Sequence, residues 1–182
     1  MKAIRRKCAL CLAPLALIAS PAQADEQDWD TASDIAVGGL IVWSVGAPLV
    51  SGDEEGALQA GLSIAAAQGV TQLLKHVIDA PRPDLSNRRS FPSGHTAMAF
   101  AAASSIMERR GADEGIPAMA LAGFAGLGRV EARKHHWRDV AAGAMIGGVS
   151  GALLTHSDPD RRMSVAAWGD AKGGGVSFAM SF

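Results

Sequence analysis

The stretch Phe91-Pro92-Ser93-Gly94-His95-Thr96-Ala97-Met98-Ala99-Phe100-Ala101-Ala102 decides how this chain folds. A proline, a serine and a glycine in a row stop whatever precedes them, and Ser93 is a natural helix N-cap. The apolar residues beyond it, through Met98, Ala101, Ala102 and Ile106, predict a helix over 94–109. The free N–H groups of its first turn and the helix dipole make an anion site, and Gly94 lets a ligand come close to the backbone. His95 lies in that same turn, where the dipole disfavours a charged imidazole. An ordinary first-turn residue is the alternative.

Outward from this helix the chain reads as helical almost throughout. Residues 35–50 are apolar but carry Pro48, which interrupts them. Residues 57–78 place Leu58, Leu62, Ala65, Ala66, Gly69, Leu73 and Val77 roughly on one stripe, and Pro81 and Pro83 end that segment. Segments 116–127 and 138–154 complete the set. Ala and Gly dominate, which suits close helix packing, so the expectation is a compact all-α helical bundle. The tail alternates instead, at 163–168 and 176–182 around a glycine-rich turn, and predicts a short C-terminal β-hairpin over 161–182.

The 182 residues, 48% hydrophobic and 19% charged, suit one folded domain and exclude a disordered chain. No tyrosine is present, so chemistry needing a phenol is excluded. Lys2, Arg5, Arg6 and Lys7, an apolar run and Ala22-Gln23-Ala24 read as a cleaved export signal over 1–24, leaving 25–160 as the helical domain. Both cysteines, Cys8 and Cys11, leave with it, and so do four of the 17 basic residues and none of the 18 acidic ones. The remainder is acidic and a poor partner for nucleic acid. The expected location is the periplasm or cell envelope. A mean hydropathy of +0.14 and segments interrupted by polar residues favour a soluble or peripheral domain, with membrane association through its apolar segments.

Two further windows concentrate the remaining basic residues. Lys75 stands near the end of one predicted helix and Arg82 in the proline-flanked loop after it; helix capping or surface charge is the plain alternative. In Arg129-Val130-Glu131-Ala132-Arg133-Lys134-His135-His136-Trp137-Arg138-Asp139, His135 and Asp139 are four apart. On a helix that carboxylate reaches the imidazole, fixes its tautomer and frees the other nitrogen as a nucleophile or base. A surface pair is the alternative. Metal ligation by His135, His136 and Asp139 is opposed by the neighbouring Arg and Lys.

Lys75-x6-Arg82-Pro83, then Pro92-Ser93-Gly94-His95, then Arg129-x5-His135-x3-Asp139 resembles the three-part signature of the type 2 phosphatidic acid phosphatases. Bacterial acid phosphatases and vanadium haloperoxidases share that superfamily. The resemblance implies a phosphate held by Lys75, Arg82, Arg129, Ser93 and the Gly94 amide. It implies His135 as nucleophile, Asp139 orienting it, and His95 as general acid and then base. It implies no metal and no cofactor, and a phosphorylated small molecule or lipid phosphate as substrate. A haloperoxidase and a non-catalytic anion-binding envelope protein are the alternatives. One departure stands out: the family usually has Ser before the third-motif Arg, and here it is Gly128. His136 is expected as a supporting or rim residue, His76 and His156 as ordinary helix residues, and Arg88 and Arg89 as loop charges.

Overall fold

Ser93 begins the central helix: its hydroxyl accepts from the Thr96 amide at 3.4 Å and from the Thr96 hydroxyl at 2.9 Å. The computed structural model describes residues 24–157, 163–170 and 173–180, so all but the last residue of the expected export signal lies outside it. From Ser93 runs α4 (Gly94–Arg110). Around it pack α1 (Glu26–Ile41), α3 (Glu54–Val77), α5 (Ala112–Glu131) and α6 (Trp137–Leu154). A π-helical turn, Val42–Gly46, joins α1 to the short α2 (Ala47–Val50).

Several boundaries differ from the expected ones for local reasons. Pro48 does not break its segment. Lacking an amide, and crowding the carbonyl four residues back, it is absorbed by the wider π turn, and the helical path continues to Val50. Asp53 accepts from the Gly56 amide at 2.9 Å and starts α3 earlier. Gly111, at φ 79°, turns the chain directly from α4 into α5.

The core is built from small residues. Ala97, Ala99, Ala101, Ala102 and Ala103 of α4 are all fully buried. Gly143, Gly147 and Gly151 line the face of α6 against them; a Cβ there would strike the Ser93 carbonyl, the Ala97 carbonyl and the Ser104 side chain. Leu40 and Ile106 are the large buried residues of the core, and α3 adds small and polar ones to it. Its buried line is Ala57, Gln59, Ala60, Ser63, Ala67 and Thr71, while Leu58, Leu73 and Val77 of the expected core stripe are 47%, 70% and 78% exposed. The stripe faces outward, so the expected facing of α3 is corrected. The buried polar groups of α3 are satisfied: Ser63 Oγ donates to the Gln59 carbonyl at 2.8 Å and Thr71 Oγ1 to the Gln68 carbonyl at 2.8 Å.

At the end of the bundle formed by the α4 C-terminus, Arg109 donates to Gln59 Oε1 (3.0 Å), to the His156 carbonyl (2.7 Å) and to Asp53 (2.5 Å). His156 is buried just beyond α6, so it is part of this clamp and not a helix residue as expected. Farther on, β1 (Met163–Asp170) and β2 (Gly173–Met180) run antiparallel, Met163 opposite Met180. Two strands alone are marginal in water. The fold therefore rests on the helices.

Candidate active site

Three chain segments meet at the other end of the bundle. Lys75 stands in the last turn of α3, and its ammonium donates to the carbonyls of Arg89 (2.7 Å) and Ser90 (3.3 Å). Of its three N–H groups one is left for an anion. The loop from 78 to 93 is closed on itself by Ser90 N–H to the Ala80 carbonyl (3.0 Å) and Arg82 N–H to the Asn87 carbonyl (3.0 Å). It is tied to the α5–α6 loop by the Asp84 amide on the Arg133 carbonyl (3.1 Å) and by Lys134 on Asp84 (3.0 Å). The Ser93 amide donates to the Asp139 carbonyl at 2.9 Å, fastening the second segment to α6.

Lys75, Arg82, Gly94, His95 and His135 line one cavity of about 250 Å³. Ser93, Arg129 and Asp139 are buried and do not line it. Ser93 serves as the N-cap of α4. Arg129 pairs with Asp30 and, at 3.3 Å, with Asp34, both from α1. Asp34 also stands 3.2 Å from His95 Nε2. Arg88 is spent on Asp79 at 2.6 Å, whereas Arg89 lines the cavity. His76 remains an exposed residue of α3, its Nδ1 donating to the Gln72 carbonyl at 2.7 Å.

The expected helical pairing of His135 with Asp139 takes another form. His135 precedes α6, and Asp139 occupies the third position of that helix. Asp139 Oδ2 accepts from Ser90 Oγ (2.5 Å) and from the His136 amide (2.9 Å), with His136 Nδ1 at 3.3 Å and His135 Nδ1 at 3.7 Å. The carboxylate is thus a helix cap held beside the imidazole. His136, the N-cap residue, supports it and lines a second cavity of about 390 Å³ with Trp137 and Arg138, on which His135 also borders.

Among the described residues, the buried side-chain atoms without a hydrogen-bond partner are Arg82 Nε, Arg129 Nε, His135 Nδ1 and Asp139 Oδ1. All belong to this cluster, and leaving such groups unpaired is costly. Burial, followed by the charges of Lys75, Arg82 and Arg129, outweighs Asp139 and pushes the His135 imidazole down to about 3. It is neutral at physiological pH, with a lone pair to give. Burial and then Arg82 lower Lys75 to about 8. Burial and then Arg129 lower His95 against the opposing pull of Asp34 and Asp30. Burial raises the Asp139 carboxyl, but hydrogen bonds from Ser90 and His136 more than offset this and hold it below the usual carboxylate range.

A sequence profile of the PAP2 superfamily matches residues 56–163, more than half of the chain. The chain belongs to the PAP2 superfamily. A curated relative, Lipid A 1-phosphatase of Porphyromonas gingivalis, is 33% identical over 95 residues, 50% of this chain. The match spans 21%, about a fifth, of that relative's length. LpxE of Aquifex aeolicus shares the fold with a TM-score of 0.61 and 24% identity, over 71% of this chain and 84% of its own. A transmembrane PAP2-type phosphatidylglycerolphosphate phosphatase from Bacillus subtilis does so at 0.59 and 21%, over 76% and 77%.

Four residues of this candidate site escape a reading of the sequence. Gln68 and Gln72 face the cavity with Lys75, a spacing of four and then three on α3 that does signal a shared face. A Cβ at Gly94 would lie 2.9 Å from the Gln68 amide oxygen, the movable tip of that side chain. Ser90 and Asp34 carry no local signal, because their partners lie 49 and 61 residues away.

Proposed function

We propose that this chain is a metal-independent phosphatase of phosphate monoesters or lipid phosphates, working through a phosphohistidine on His135. The observation that carries the reading is a buried, neutral imidazole at a cavity lined by Lys75, Arg82 and the start of α4. A phosphate there meets cations and a helix N-terminus that offset its developing charge. The His135 lone pair attacks phosphorus, forming the N–P bond as the P–O bond to the leaving group breaks. His95 gives its proton to the departing oxygen. It then takes a proton from the water that attacks phosphorus and breaks the N–P bond. Arg129 and Ser93 act from behind the cavity wall, the first by charge and the second by setting the α4 terminus. Asp139 orients His135 and offsets the positive charge that attack creates on its ring.

A lipid phosphate suits the surroundings. Leu73 and Val77 flank Lys75 on α3, 70% and 78% exposed, and Val42, Val50, Met145 and Leu153 continue the apolar exterior on other helices. Small residues inside and large apolar ones outside is the arrangement of helices packed in lipid. Among the described residues one segment, Glu26–Val50, is long and apolar enough to cross a membrane. The names of the relatives, a lipid A 1-phosphatase and a phosphatidylglycerolphosphate phosphatase, point the same way. An envelope enzyme with 25–160 as its catalytic unit, preceded by a removed export signal and followed by a hairpin, completes the reading.

The test is phosphate release by the purified protein from a panel of lipid phosphates and soluble esters in excess EDTA. Activity should persist in EDTA, and vanadate should inhibit by occupying the phosphoryl position on His135. Loss of activity in EDTA, restored by magnesium or zinc, overturns the metal-free mechanism.

A further inference from the structure

Asp30 and Asp34, one turn apart on α1, bring two carboxylates to groups that the proposed reaction depends on. Asp34 Oδ1 stands 3.2 Å from His95 Nε2 and 3.3 Å from Arg129 Nη1, and Asp30 pairs with the same Nη1. The helix reaches them because it lies close on α5. The fully buried Ser33 hydroxyl donates to the Ala125 carbonyl at 2.9 Å. A Cβ on Gly128 would stand 3.0 Å from Ser33 Cβ and 3.1 Å from the Trp29 carbonyl. Gly128 is the position where this chain departs from the serine usual in the family. The missing side chain and the arriving helix occupy the same space.

We propose that Asp34 is a positioning residue for His95, and that Gly128 lets α1 come close enough to place it. The role rests on the phosphatase reading above. A carboxylate 3.2 Å from Nε2 favours the protonated, acid-competent imidazole by its charge. It acts against the groups that favour the neutral ring, Arg129 from α5 and Arg82 from the α3–α4 loop, and Asp30 of α1 adds to it. Asp34 forms no bond to the substrate. The proton passed to the leaving oxygen is His95's own, and it is recovered from the attacking water.

The test is Asp34→Asn in the purified full chain, with phosphate release from an alkyl phosphate and from p-nitrophenyl phosphate followed across pH. Asparagine keeps the size of this largely exposed side chain and removes only its charge. With the alkyl ester, kcat should fall about tenfold or more at neutral pH, and the loss should shrink as the pH is lowered and His95 regains its proton. The aryl ester needs little proton donation, so its kcat should stay within about threefold. KM should not rise, since a negative charge has been taken away from an anion site. Gly128→Ser should reproduce part of the pH shift in the wild-type chain and add little to Asp34→Asn. A loss equal on both esters and independent of pH, or no change at all in an active enzyme, overturns the positioning role. A wild-type chain that releases no phosphate from either ester overturns the phosphatase reading itself.

Discussion

Lys75 gives the proposed site a pH limit that can be worked out in advance. Burial and the nearby Arg82 lower its ammonium to about 8, so the charge is present below that pH and is lost as the pH rises through it. From that value the residue is about nine-tenths charged at pH 7 and about one-tenth at pH 9. If the neutral amine binds phosphate poorly, kcat/KM falls about tenfold between these two points, because this ratio reports the free enzyme. The assay uses p-nitrophenyl phosphate, whose good leaving group removes the His95 proton from the rate. Lys75→Arg is the decisive perturbation. A guanidinium stays charged throughout this range, so the alkaline fall should disappear while activity at pH 7 is largely kept. His135, neutral above about 3, adds no change across the same window. An alkaline limb that persists unmoved in Lys75→Arg, or a wild-type profile flat to pH 9, refutes the reasoning.

His95→Ala should lower kcat/KM for alkyl phosphates by about 100-fold or more and for p-nitrophenyl phosphate far less; equal losses in kcat/KM on both would assign His95 to binding. Ser90→Ala removes a charge-assisted hydrogen bond to Asp139 worth about 1.5–3 kcal/mol, so the acid side of the kcat profile should move to higher pH. An unmoved profile would show that Ser90 does not hold that carboxylate. Arg109→Ala opens the polar clamp on Gln59, Asp53 and the His156 carbonyl at the far end of the bundle. Thermal unfolding should report a loss of about 2–3 kcal/mol with turnover retained in the folded fraction.

Much of the site is legible in the sequence because its signals are local. Ser93 before a glycine and an alanine-rich run marks a helix start, and Pro81 and Pro83 mark the end of the one before. Lys75, Arg82, Gly94, His95 and His135 do line one cavity. What misleads is context. A spacing of four between His135 and Asp139 suggests a shared helix, but Asp139 caps α6, leaving His135 in the loop before it. The leucines of α3 suggest a core face when only their spacing is read. Here the partner helix offers alanine and glycine backbones that admit Ser63, Ala67 and Thr71, and the leucines turn out. Asp34 and Ser90 are illegible for a simpler reason: nothing near them in the chain reveals what they will touch.

The most direct measurement of the central claim is the covalent intermediate. The purified protein is mixed with substrate, quenched within one turnover under alkaline conditions that preserve phosphohistidine, and mapped by mass spectrometry. One phosphoryl group should be found on the peptide containing His135, absent in His135→Gln and accumulating in a variant that removes the His95 base. Phosphate mapped to His136 or to another residue, or full turnover by His135→Gln, contradicts the account.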